Sequence, residues 1–350
     1  MWNKLTKLCG WLALNTGRLL LWGLLIGGYL WAMLAIYFLD YFPDLLNVVF
    51  SVTFAVGVPW MLRRTPDRMT AVRWTAALLL IVGLCWMQVR PSNDRPWRKH
   101  HAILTQIEMD GPRVSLRNVR NLRHVSATNF HKGHCDKSID LNKIESVWYC
   151  LQNFSSLRGL AHAFLSFGFT GEDGATDYVA ISVEIRCEDG ERFSPLAGMF
   201  RRYELMYVIA DERDVIGWRS HFRKDELRLY PVHAKKAQMK LLFVEMLKRA
   251  QSLSDEPEFY NTWTNNCANN IVSHIESISP GTVSAYSLPV IFPGYSDRKA
   301  YEKGLFKTEL PYAEARARFR IKPDPTDYLI GKSGQIVGLR DSFSDSIRSP

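Results

Sequence analysis

Residues 19–39 run for 21 positions without a charged side chain, between Arg18 and Asp40. At about 1.5 Å of rise per residue, a helix of that length crosses the roughly 30 Å hydrocarbon core of a bilayer. The run is too long for the apolar region of a signal peptide, and no small-residue cleavage pattern follows a short apolar stretch. Residues 45–62 are similarly uncharged and carry Gly57 and Pro59, which membrane helices tolerate. Residues 74–89 form a third, shorter run that needs its flanks to complete a span. Three transmembrane helices are therefore expected within residues 1–90.

Lysine and arginine set the expected orientation. Lys4, Lys7 and Arg18 precede the first run, the loop at residues 40–44 has no basic residue, and Arg63, Arg64, Arg68 and Arg73 fill the second loop. Both basic segments then face the cytoplasm, and an odd number of spans puts the remainder outside. Arg90, Arg95, Arg98 and Lys99 oppose this only mildly, because a large domain translocates largely regardless of charge. In a bacterium the arrangement is a periplasmic domain on the inner membrane.

About 260 residues remain, enough for one α+β domain with a real core. The boundaries expected are 1–90 for the helices, 91–330 for the domain and 331–350 for a loose Gly/Ser-rich tail. The net charge of +9 is spread along the chain. It suits a solvated surface with topology-setting arginines, or a surface that meets anionic lipid headgroups. No pattern for nucleic-acid binding is present. The six cysteines include no CxxC, which removes the best support for structural zinc or a redox motif. In an oxidising compartment Cys135 and Cys150 are candidates to pair. His131, His134 and Cys135 have metal-like spacing but no evident further ligand, so no metal or cofactor is expected.

Two alternating strands are the clearest local signal in the domain. Ala161, Ala163, Leu165, Phe167 and Phe169 form one apolar face, and Val179, Ile181, Val183, Ile185 and Cys187 another. The link at residues 170–177 (TGEDGATD) is turn chemistry. A hairpin centred on Asp173 pairs position i with 346 − i, which sets His162 across from Glu184. Further strands are expected at 203–210 and 227–232, and an amphipathic helix at 233–253. Asn265 and Asn266 are N-cap residues, which places Cys267 in the first turn of a helix, where the macrodipole favours a thiolate. A thiol, an imidazole and a carboxylate make a nucleophile, base and orienting acid. His274 is the rival base, but seven helical residues separate it from Cys267 by about 10 Å, so His162 is preferred. The charged cluster Asp211, Glu212, Arg213 and Asp214 reads as an ion-pair network.

The segments 160–169 (LAHAFLSFGF), 182–186 (SVEIR), 203–218 (YELMYVIADERDVIGW), 259–271 (FYNTWTNNCANNI) and 293–305 (PGYSDRKAYEKGL), in this order, closely resemble the Lnb N-terminal periplasmic domain family. The resemblance implies a circularly permuted papain-like (NlpC/P60-like) domain, with an antiparallel sheet and packed helices, in which histidine precedes cysteine. It implies Cys267 as nucleophile, His162 as base and Glu184 as the third member. It also implies acyl transfer through a thioester, from phospholipid to the amino group of a lipoprotein, with membrane lipids and lipoproteins as partners. Asn266 is either a side-chain donor to an oxyanion or simply a cap. Arg201 and Arg202 are either contacts for lipid phosphates or ordinary surface arginines. Ala268 stands where the family commonly has threonine, so any hydroxyl contribution at that position is lost.

Three functions remain open on the sequence. A membrane-anchored cysteine acyltransferase and a periplasmic cysteine peptidase or amidase share the triad and differ in the acceptor. A non-enzymatic envelope protein would keep the fold with Cys267 inert or remote from His162. An apolar trough at Cys267 would favour acyl transfer, and an open polar groove would favour hydrolysis.

Overall fold

The computed structural model describes residues 2–39, 42–153, 159–172, 174–283, 287, 290 and 292–348, with side chains described from residue 16 onward. The chain is a mixed α+β protein that divides into two compact units, residues 1–91 with 194–202, and residues 92–193 with 203–350.

The first unit holds three long apolar helices, α1 (Trp2–Tyr37), α2 (Asp44–Arg64) and α3 (Arg68–Gln88). Each is long and apolar enough to cross a membrane. The third is a full 21 residues, six longer at its start than its apolar run suggested, because the Asp67 side chain caps it by accepting from the Met69 and Thr70 N–H groups. Polar groups between the helices are spent internally, as hydrocarbon requires. Tyr29 donates to the Ala55 carbonyl at 2.6 Å and Ser51 to that of Met33 at 2.9 Å. Part of the expected first loop, Asp40, lies outside the described residues.

The second unit is built on an eight-stranded sheet. Its strands are β1 (Gln106–Asp110), β2 (Arg113–Arg120), β5 (His134–Asp140), β6 (Ile144–Asn153), β7 (Ala161–Thr170), β8 (Thr176–Arg186), β9 (Glu204–Ala210) and β10 (Glu226–Pro231). The order is β1-β2-β9-β8-β7-β6-β10, with β5 also paired to β2. All pairings are antiparallel except β2 with β9. The short β3 (Arg123–His124) and β4 (Phe130–His131) form a separate ribbon. In the central hairpin position i faces 346 − i, as in Leu165 opposite Ile181 and Thr170 opposite Thr176. The hairpin centre, Asp173, lies outside the described residues.

Both faces of the sheet are covered. On one, Leu165, Phe167 and Phe169 pack against Phe243 and Met246 of α5 (Lys236–Asp255). On the other, Phe164, Ala180, Met206 and Val208 pack beneath α4 (Glu212–Gly217) and Phe343. Phe164 of β7 thus belongs to a second apolar layer. Helix α6 (Cys267–Ile278) lays Ile271 on Ala161 and Ala163 of β7. Helices α7 (Ser296–Glu302) and α8 (Tyr312–Arg318) follow.

The C-terminal segment is not the loose tail its composition suggested. Strands β11 (Tyr328–Ile330) and β12 (Ile336–Leu339) pair, and α9 (Phe343–Ser346) buries Phe343 completely. Arg348 reaches the buried carboxylate of Glu212, with Nη1 to Oε2 at 2.8 Å, and stacks over the Tyr178 ring at 3.6 Å. Phe343 and the Arg348–Glu212 ion pair anchor a stretch rich in glycine and serine.

Candidate active site

Strands β7 and β8 separate at one end of the hairpin. Their mutual register begins at Leu165 and Ile181, whereas β7 stays paired with β6 down to Ala161 and β8 with β9 out to Arg186. The N-terminus of α6 fills the split. Asn266 caps this helix, its Oδ1 accepting from the N–H groups of Ala268 at 2.8 Å and Asn269 at 3.0 Å. Asn265 is tied to Glu258 and the Phe259 carbonyl, and Glu258 is held by a bidentate bond from Arg249. The loop ahead of Cys267 is therefore fixed from both sides.

Cys267 stands where the His162 ring and the Ala163 N–H both favour its ionised form. His162 Nε2 lies 2.7 Å from Ser182 Oγ and 3.4 Å from Glu184 Oε1. Ser182 donates to Glu184 Oε1 at 2.7 Å, so its hydroxyl bridges ring and carboxylate. Behind Glu184 stands Arg219, whose Nη2 donates to Oε1 at 2.5 Å and whose Nε donates to Gln152 Oε1 at 2.8 Å. Arg219 comes from a π-helical turn, Trp218–Phe222, which continues α4 and aims the guanidinium at the sheet.

The charges are ordered by this chain of contacts. Burial alone would raise the Glu184 carboxyl, but Arg219 and then His162 hold it well below the usual range. Burial alone would lower His162, but the Glu184 carboxylate and the Cys267 sulfur push it up to about 9. Burial works against a thiolate at Cys267, and the His162 charge, its hydrogen bond and the Ala163 N–H together hold the thiol below its ordinary 9.0. Opposite charges within a few ångströms favour both ionised forms. Both shifts run toward the charged forms, imidazolium at His162 and thiolate at Cys267.

An apolar cavity of about 230 Å³ adjoins Ala163 and Ala268, the chain neighbours of His162 and Cys267. Ala163 and Ala268 line its near end, and Leu165, Ile271, Val272 and Ile275 continue it between the sheet, α5 and α6. Cys267 itself is 7 % exposed. A cavity of aliphatic side chains with few polar groups suits an alkyl ligand.

The other candidates fall elsewhere. His274 turns to the Tyr207 hydroxyl at 2.8 Å, and burial pulls it down to about 4. The Asn266 amide is occupied as a cap, with Nδ2 donating to the Thr262 carbonyl at 2.7 Å. Arg201 belongs to the helical unit, where its Nη1 meets the Trp86 and Val89 carbonyls at 3.2 Å and its guanidinium lies 3.9 Å from the Trp86 ring centre. It closes the C-terminus of α3, where a cation is favoured. Arg202 lies 3.8 Å from Asp44 in the same unit. Cys135 and Cys150 are free thiols, the first accepting from Asn121 and the second buried. Asp214 pairs with Arg120 and His124, and Asp211 with Arg213.

Ser182 and Arg219 were missed on the sequence. Ser182 had a signal: it stands two residues before Glu184 on the same strand face. Arg219 had none beyond its charge, since only the tertiary fold brings it to Glu184.

No curated protein and no solved structure matches the chain. Residues 131–295 match the family model described as Lnb N-terminal periplasmic domain. That segment includes His162, Ser182, Glu184, Arg219 and Cys267, so the candidate active site lies within the stretch that matches the Lnb N-terminal periplasmic domain family.

Proposed function

We propose that this protein is a membrane-anchored cysteine acyltransferase that takes an acyl chain from phospholipid onto Cys267. The observation that carries the reading is the aliphatic cavity starting at Ala163 and Ala268, beside an activated thiol. A peptidase or amidase would need polar groups along that path to meet amide edges. The order His162, Glu184, Cys267 is that of a permuted papain-like domain, and we read the fold in that way. The three apolar helices and the periplasmic family fit a domain at the periplasmic face of the inner membrane, with the N-terminus in the cytoplasm.

In the first step the thiolate attacks the ester carbonyl of the lipid. The positive end of α6 favours the oxyanion. As the intermediate collapses, the C–O bond breaks, and the His162 imidazolium gives its proton to the departing lysophospholipid oxygen. The acyl group is now a thioester on Cys267. In the second step an acceptor amine attacks, His162 takes its proton, and the thiolate leaves. Glu184, held by Arg219 and Ser182, keeps the ring oriented and stabilises its charge. With water as acceptor the same cycle is hydrolysis.

The experiment traps the intermediate. Full-length protein in vesicles of isotopically labelled phosphatidylethanolamine, without acceptor, is expected to carry a hydroxylamine-labile acyl group on the Cys267 peptide, absent in Cys267→Ala. A wild-type protein whose Cys267 reacts with iodoacetamide yet never acquires an acyl group would refute the reading.

A further inference from the structure

The cavity follows α6. Ala268, Ile271, Val272, Ile275 and Ile278 recur at three- and four-residue spacing on its inner side, and Ser279 stands at its end. From Ala268 to Ser279 the helix rises about 16 Å, which is long enough to run alongside most of a fatty acyl chain. A polar bar crosses between the helices at that end. Gln238 of α5 donates from Nε2 to Ser279 Oγ at 3.0 Å, and its Oε1 accepts from the Lys235 N–H at 3.0 Å. The amide is thus held at both its ends. The turn beyond α6 is fixed as well, because the Glu276 carboxylate accepts from the N–H groups of Gly281 at 2.8 Å and Val283 at 2.5 Å.

We propose that the Gln238–Ser279 bridge is the end stop of an acyl-length ruler whose zero is the Cys267 sulfur. The proposal rests on the acyl-transfer reading of this site. A chain that fits within the cavity gains apolar contact with each added methylene. One methylene more must either break a hydrogen bond between two part-buried polar groups or press an alkyl end against them unpaired, and both are unfavourable. The aliphatic wall therefore selects for chain, and the bar selects for length. Ile275, one turn before the bar, sets the bore.

The test uses full-length protein in vesicles of phosphatidylethanolamines with two identical saturated chains, lengthened stepwise across a series. The acyl group on the Cys267 peptide is quantified by mass spectrometry. Wild type is expected to show adduct up to a limiting length and then a fall of about tenfold or more for each further methylene. Gln238→Ala is expected to move the limit to longer chains, and Ile275→Phe to move it to shorter ones. Should loss of the α5 cap unfold Gln238→Ala, Ile275→Phe decides alone. Adduct on Cys267 with the same length profile in wild type and in the folded variants overturns the ruler and leaves acyl transfer standing. No adduct at any length removes acyl transfer itself, and the ruler with it.

Discussion

Replacing Glu184 by glutamine changes one charge and almost no volume. Holding His162 at about 9 rather than 6.5 favours the imidazolium by roughly 3 kcal/mol, at about 1.4 kcal/mol for each tenfold. The Glu184 carboxylate is the leading contribution in that direction. In Glu184→Gln it is gone, and the Arg219 guanidinium, whose side chain is only 4 % exposed, is left as an unpaired cation near the ring. Most of the 3 kcal/mol is lost, so the thiolate fraction of Cys267 at neutral pH is expected to fall by about tenfold to a hundredfold. The assay is the rate of iodoacetamide alkylation of the Cys267 peptide against pH, on full-length protein in detergent. The wild-type profile begins its rise below pH 9, and that of Glu184→Gln is displaced to higher pH. The stranded arginine also lowers stability by about 3 kcal/mol, so circular dichroism must show the variant folded at the assay temperature. A folded Glu184→Gln protein with an unchanged alkylation profile would refute the electrostatic account of this site.

Other perturbations follow from the same contacts. Acyl transfer in the wild type is expected to fall as pH rises through about 9, where His162 loses the proton it gives to the leaving group, while alkylation stays high; parallel decline of both would contradict the assignment. Taken alone, the raised His162 adds stability that is lost from 6.5 up to about 9, and the lowered Cys267 adds stability that is lost as pH falls below 9.0. The two trends have opposite signs between those values and offset each other there. Arg348→Met leaves Glu212 buried without its cation and is expected to cost about 3–5 kcal/mol, read as a melting-point loss on the order of 10 °C. Asn266→Ala removes the α6 cap and is expected to cost about 1–2 kcal/mol, with Asn266→Asp retaining most of it in thermal melts. Ser182→Ala removes the hydroxyl between ring and carboxylate, and is expected to lower the acylation rate several-fold while leaving binding of a chain in the cavity unchanged.

Local pattern was the readable part of this chain. Uncharged runs reported three helices, because hydrocarbon leaves a backbone few alternatives. Strict alternation and a turn-rich link reported the β7–β8 register, since a slip of one residue would turn every apolar side chain to the other face. Asn266 reported the start of α6 through its capping side chain. What escaped depends on residues far apart in the chain. Phe164 and Ala180 alternate with the apolar faces of their strands, yet α4 and the C-terminal segment cover them. Ile271, Val272, Ile275 and Ile278 are apolar positions of α6, and only the tertiary fold leaves a cavity against them. Arg348 sits in a Gly/Ser-rich stretch, and nothing nearby in sequence announces Glu212. Arg219 reaches Glu184 only because α4 continues as a π-helical turn.

The central claim joins a reactive sulfur to an alkyl-binding cavity, and N-alkyl iodoacetamides of increasing chain length test both at once. The quantity to measure is the second-order rate of alkylation at Cys267, with Val272→Trp as a cavity-blocked control. The rate is expected to rise about fourfold with each methylene that the cavity buries, at about 0.8 kcal/mol apiece, and to lose that dependence in Val272→Trp. A rate indifferent to chain length in the wild type, or one that climbs equally in the blocked variant, would contradict the account.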